Sequence, residues 1–158
     1  MGSIYIRYYK DPVLREICKP VEKVDDYLFD LAGKMMACMV NNRGVGLSAN
    51  QVGIPIQFCV ISVENNTRQM ALINPVIESK SDDTELLSEG CLSLPTVYIP
   101  VERHKQIVVK FQDLSGEEQV YEFTDLDARI VQHELDHLNG RLICDYLSFP
   151  NPSQGDNK

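Results

Sequence analysis

The sequence is short of positive charge. Its 158 residues carry 15 Lys and Arg against 23 Asp and Glu, a formal net charge of −8. A nucleic-acid partner needs a basic face that neutralises phosphates, so no direct nucleic-acid site is expected. The acidic residues are scattered rather than blocked and read as a solvated surface. No apolar run approaches the ~20 residues of a membrane-spanning helix, which excludes a membrane protein of that kind. The opening MGSIYIRYYKDP lacks the basic and then apolar regions of a secretion signal, and it lacks the Arg- and Ser-rich character of a transit peptide. Ile6 stands where a myristoylation pattern needs Ser or Thr. The expected compartment is therefore cytoplasmic. Internal repeats are missing. A disulfide framework is missing too: Cys18, Cys38, Cys59, Cys91 and Cys144 are odd in number and no pair has CxxC spacing. Four of them sit among apolar neighbours and read as small hydrophobes.

What is present suits one domain with a real core, since 44% of the residues are hydrophobic. Residues 1–23 read as irregular, with Pro12 and Pro20 breaking any helix. Asp25 or Asp26 can cap a helix running to Asn42, in which Leu28, Leu31, Met35 and Met39 form one apolar stripe. Gly44 stands where a helix-ending glycine belongs. A small-residue loop, GVGLSANQVG, follows at 44–53. Strands are expected at 57–63 and 70–74, the second continuing past Pro75, whereas 79–90 is polar and acidic with no strand assigned. Cys91–Val101 reads as extended. Ile107, Val109 and Phe111 alternate as in a half-buried strand, and a turn at 113–117 returns it through 119–123 as a hairpin. Thr124, with Asp127 three residues on, predicts a capping box for a second helix ending at Gly140. The pattern is an α+β domain over 1–148, with antiparallel β-sheets and an N-terminal helix, and 149–158 reads as a short disordered tail.

The second helix carries His133-Glu134-Leu135-Asp136-His137, an HExxH motif, in a chain with three histidines. Residues four apart share a helix face, so two imidazoles can grip one metal ion with Glu134 beside it as a general base. Chance would place HExxH in such a chain on the order of once in a few hundred cases. The competing reading is a solvated helix with two surface histidines. A catalytic site needs about three protein ligands and an open position. Beyond the motif the only carboxylates are Asp145 and Asp156, and the HExxHxxGxxH pattern is absent. Upstream, Glu89-Gly90-Cys91-Leu92-Ser93 offers a thiolate, a strong ligand for Fe²⁺, Zn²⁺ or Ni²⁺. Alone, Cys91 reads more readily as a buried structural cysteine than as a ligand, and its combination with HExxH reverses that order. On the helix, Leu126 and Ile130 share the face of His133 and His137, which fits either a substrate pocket or core packing.

Three segments together resemble the signature motifs of the peptide deformylase family: GVGLSANQ at 44–51, EGCLS at 89–93 and QHELDHLNG at 132–140. The resemblance spans residues 5–148 and implies an α+β fold with antiparallel sheets around a central HExxH-bearing helix. It implies one divalent metal ion held by Cys91, His133 and His137, with Fe²⁺ as the native ion and Zn²⁺ or Ni²⁺ able to substitute. The implied reaction removes the N-formyl group from formyl-methionine at the start of nascent peptides and releases formate. Glu134 is then the general base and acid, and the Gln51 side chain and the Leu92 backbone N–H are the oxyanion donors. The implied substrate-facing set is Gly44, Val45, Gly46, Leu87, Glu89, Leu126 and Ile130, with Gly46 on a strand edge that meets the peptide backbone. Glu89 and Arg103 are expected to pair, and Asp136 and Gln132 to orient ligands. The sequence departs from the family at Tyr98, where many bacterial members carry Arg, and in its short C-terminal tail without the long terminal helix implicated in docking to the ribosome. The expected partners are formyl-Met nascent peptides and the ribosome exit region, and the expected state is a monomer.

Overall fold

The computed structural model describes residues 2–147. The expected tail at 149–158 lies outside the described residues. Two helices, α1 (Asp26–Asn41) and α2 (Asp125–Leu138), accompany seven strands: β1 (Gly46–Ser48), β2 (Phe58–Val63), β3 (Arg68–Lys80), β4 (Thr84–Cys91), β5 (Leu94–His104), β6 (Gln106–Gln112) and β7 (Glu118–Thr124). Five strands form one antiparallel sheet in the order β1-β2-β3-β6-β7, and β4-β5 form a separate hairpin. The α+β expectation holds. No helix among the described residues is long and apolar enough to cross a membrane.

The sheet is packed on both faces, and β2 shows why. All six of its residues are buried. Strand side chains alternate, so Phe58 and Val60 join the cluster beneath α1 while Cys59, Ile61 and Val63 join the cluster beneath α2. A strand buried on two faces reads as a continuous apolar run, as FCVISV does. Asp25 caps α1 by accepting the Leu28 N–H at 3.1 Å. Leu28, Leu31, Met35 and Met39 are fully buried against the sheet, each contributing about 1.5–3 kcal/mol. A third cluster joins Leu14, from a short 3₁₀ turn at Pro12–Arg15, to β5 and to a turn at Ile143–Tyr146.

Three local expectations need correction. The left-handed residue ending α1 is Arg43, at φ 58°, not Gly44. The Thr124 side chain makes no capping bond. Its box partner Asp127 instead accepts the Glu64 N–H of the β2–β3 turn at 3.2–3.3 Å, so a tertiary contact displaced the local one. The polar stretch left without a strand is β4. Its five leading residues are exposed and its partner is β5, so no apolar alternation marks it. As expected, β3 runs on past Pro75 to Lys80; of its two register shifts against β6, the first spans Pro75, which cannot donate to the ladder.

Candidate metal centre and active-site cleft

A cleft of about 650 Å³ opens between the 42–46 segment on one side and the β4–β5 hairpin on the other, with α2 as its floor. The helical repeat puts His133 and His137 on one face, with Nε2 atoms 3.1 Å apart. Cys91, at the end of β4, brings its Sγ to 3.4 Å from His137 Nε2. The donor atoms of Cys91, His133 and His137 all lie within 4.8 Å of one another. Tetrahedral bonds of ~2.05 Å to nitrogen and ~2.3 Å to sulfur would set the N···N separation near ~3.3 Å and S···N near ~3.6 Å. The His133–His137 and Cys91–His137 spacings fall within about 0.2 Å of these values, and the donor set fits a single divalent ion.

The surroundings of the two imidazoles shift them in opposite directions. Burial disfavours an imidazolium at His133, but hydrogen bonds with Cys91 and Glu89 outweigh it and lift the group to about 10. Burial and the charge on His133 push His137 well below its ordinary value. In the neutral form that a metal ligand must take, His133 would keep its proton on Nδ1, against Glu89 at 2.8 Å, with Nε2 free to coordinate.

Glu89 itself is committed elsewhere than to substrate. Its two oxygens meet Arg103 Nε at 2.9 Å, Arg103 Nη2 at 3.0 Å and Arg129 Nη1 at 2.7 Å, besides His133. Burial alone would raise this carboxyl, yet the bonds from His133 and Arg103 hold it down at about 2. Glu89 lines the cleft, with its carboxylate held by Arg103, Arg129 and His133. Arg129 was not anticipated, although its position four residues before His133 puts it on the same helix face. Asp136 reaches this cluster through Arg103 at 2.6 Å and also accepts from the Tyr146 hydroxyl at 2.5 Å. Gln132 orients no ligand: its amide clamps the His104 backbone at 3.0 and 2.8 Å.

Glu134 is 3% exposed. Burial raises its carboxyl above the ordinary range, against the lowering effects of His133 and of a hydrogen bond from Ser48. Burial of this kind favours the protonated form of the carboxyl. Gly46 makes room for it: a Cβ there would come within 2.5 Å of Glu134 Oε1. Gln51 sits on a 3₁₀ turn (Ala49–Val52), with its Oε1 accepting the Ser48 N–H at 2.9 Å. Its Nε2 donates to Ser93 Oγ at 3.0 Å and points to Cys91 Sγ at 3.7 Å. Leu92 follows Cys91 in the hairpin turn and packs toward Gly44.

Gly44, Val45, Gly46, Leu126 and Ile130 line the cleft, as does Tyr98, whose ring packs over Gly90. Leu87 does not line it: it is exposed on β4 opposite Val101, one residue out of step with Ser88, which does. Ser48 and Asn50 also escaped the sequence reading. Asn50 is fully buried and donates to the His137 carbonyl at 2.6 Å, tying the first motif to the helix.

Comparisons with known proteins find one family. A family model described as polypeptide deformylase matches residues 4–152. The peptide deformylase of Bartonella henselae is 45% identical over 141 residues, covering 87% of this chain and 80% of that one. That of Thermotoga maritima is 46% identical over 143 residues, covering 90% and 86%. The crystal structure of the Thermotoga maritima enzyme superposes with a TM-score of 0.90 at 43% identity, over 94% of this chain and 100% of that one. A peptide deformylase from Synechococcus elongatus, solved in complex with actinonin, superposes at 0.88 with 41% identity, over 92% and 79%.

Proposed function

The chain belongs to the polypeptide deformylase family, a family of metal-dependent enzymes acting on formyl-Met nascent peptides; from that premise we propose a mechanism, a metal and a residue assignment. The observation that carries them is the convergence of one sulfur and two imidazole nitrogens within 4.8 Å, with Glu134 beside them. Cys91, His133 and His137 hold the ion, with Fe²⁺ native and Zn²⁺ or Ni²⁺ able to replace it. When bound, the ion supplies an acidified water and a Lewis-acid contact for the formyl oxygen.

The chain's own groups do the rest. Glu134 takes the water proton as the formyl carbon is attacked and returns it to the leaving methionine nitrogen, so formate and a free amine result. Gln51 Nε2, which otherwise donates to Ser93 Oγ and points to Cys91 Sγ, and the Leu92 N–H are assigned as donors to the oxyanion. The Gly44–Gly46 edge receives the peptide backbone, since β1 pairs with β2 on one side only. Val45, Leu126 and Ile130 supply an apolar wall for the methionine side chain. The enzyme works as a cytoplasmic monomer in this reading, meeting its substrate near the ribosome exit.

The test is formate release from formyl-Met-Ala-Ser compared with cleavage of an unblocked peptide. Turnover of the first alone is expected; cleavage of internal bonds alone would replace this reading with that of a small metalloprotease. Glu134→Gln should keep its metal and fold while turnover falls by orders of magnitude. Unchanged turnover removes Glu134 from the mechanism.

A further inference from the structure

Ser48 ends β1 and is fully buried. Its hydroxyl lies 2.6 Å from Glu134 Oε2 and 3.1 Å from the Glu134 carbonyl oxygen. A hydroxyl has one proton to give. The shorter contact lies in the range of a charge-assisted O–H···O⁻ bond and takes it. The two carboxylate oxygens are thereby made unequal. Oε2 is bound to Ser48, while Oε1 lies 4.0 Å from His133 Nε2, in the space that Gly46 leaves open. The backbone of the same residue fixes Gln51: the Ser48 N–H holds Oε1 of the amide at 2.9 Å, which turns Nε2 toward Cys91. A side-chain substitution at Ser48 removes the first of these contacts and leaves the second.

We propose that Ser48 is a positioning residue for hydrolysis, its hydroxyl pinning Glu134 Oε2 so that Oε1 alone faces the ligand cluster; this rests on Glu134 being the proton carrier. The terminal torsion of a glutamate is broad and roughly two-fold. Without the hydroxyl nothing on the Oε2 side selects one setting. The carboxylate then spends only part of its time with Oε1 directed at the reacting water, and its buried Oε2 lacks a donor.

The experiment compares Ser48→Ala, Ser48→Thr, Glu134→Gln and the double variant Ser48→Ala/Glu134→Gln, each with metal content and melting temperature measured beside kcat and KM. Ser48→Ala is expected to lower kcat about tenfold to a hundredfold, with KM within about twofold, metal content unchanged and the fold intact. Ser48→Thr keeps the hydroxyl and should restore most of kcat. The double variant should be no slower than Glu134→Gln, because a group that acts through Glu134 has nothing left to position. A Ser48→Ala enzyme with parental kcat overturns the proposal. So does a double variant slowed by the full single-variant factor, or a loss of kcat that tracks loss of metal. If Ser48→Thr does not fold, the Ala and double variants still decide. Turnover surviving in Glu134→Gln would sink the reading of Glu134 itself, whereas an inactive Glu134→Gln beside a fully active Ser48→Ala sinks only the role of Ser48.

Discussion

Gly46→Ala is the smallest change that should separate two roles for the first motif. If Gly46 only lets the substrate backbone approach, a methyl group there should weaken binding. The structure gives it a second duty, because the added Cβ would sit 2.5 Å from Glu134 Oε1, 2.8 Å from Cδ and 2.9 Å from Cγ. An ordinary C···O approach is ~3.3 Å, so the carboxylate must retreat by roughly 0.8 Å. It has little room to do so, being 3% exposed and held by Ser48 at 2.6 Å. A misplacement of this size in a reacting group costs on the order of a hundredfold in rate. Overpacking of a buried site adds about 1–3 kcal/mol of lost stability, or roughly 2–12 °C in melting temperature for a chain of this length. Formate release at 25 °C, with metal content measured in parallel, reads the outcome. We expect kcat to fall about a hundredfold with metal retained. Gly44→Ala is the internal control. Its Cβ meets the tip of Leu92 at 2.7 Å, the end of a partly exposed side chain that can rotate away, and it should cost much less in kcat. A Gly46→Ala enzyme with parental kcat and a raised KM would refute the steric argument and leave Gly46 with the substrate role alone.

Three further outcomes follow from the buried charges and thiols. Glu89→Gln strips the counter-charge from Arg103 and Arg129, which are 4% and 6% exposed, and should cost about 3 kcal/mol and lower the melting temperature by roughly 6–12 °C; an unchanged melting temperature would show that Asp136 beside Arg103, and the Val101 and Glu85 carbonyls beside Arg129, suffice. The bond from Arg15 Nη1 at 2.7 Å holds Asp145 below the usual carboxylate range. A carboxyl depressed on folding contributes stability that is present above its unfolded value and lost as pH falls through its folded one. Acid should therefore loosen the clasp between the N-terminal turn and the 143–146 turn, and Asp145→Asn should abolish that part of the acid dependence in a melting-temperature series. Burial pushes the Cys18 thiol up to about 12 and Cys59 well above its ordinary value, so iodoacetamide at pH 8 should spare both in the native protein. Mass spectrometry finding either one labelled as fast as the partly exposed Cys144 would contradict their burial.

The order in which these features became visible follows the range of the forces behind them. Helix geometry is local, so the stripe of α1, the Asp25 cap and the shared face of His133 and His137 are written in spacings of three and four. The β6–β7 hairpin is nearly as local, and its alternation and turn residues were legible for the same reason. Arg129 lay within reach of this logic, at helical spacing from His133, but nothing in the sequence indicates that its partner is a glutamate 40 residues upstream. The strand β4 carries no apolar alternation, because its hairpin stands apart from the five-stranded sheet and exposes most of its length. At Thr124 the local rule was overruled when Asp127 found the Glu64 backbone.

By itself the sequence determined the fold class, the helix that presents two imidazoles and, through its three motifs, the family. Packing alone decided that a sulfur 46 residues before His137 would lie 3.4 Å from its ring, that Glu89 would be gripped from two elements at once, and that a serine 86 residues from Glu134 would hold its carboxylate. Those contacts depend on how the sheet, the hairpin and α2 close on one another. Residues brought together by that closure have no fixed separation along the chain, so no periodicity records them.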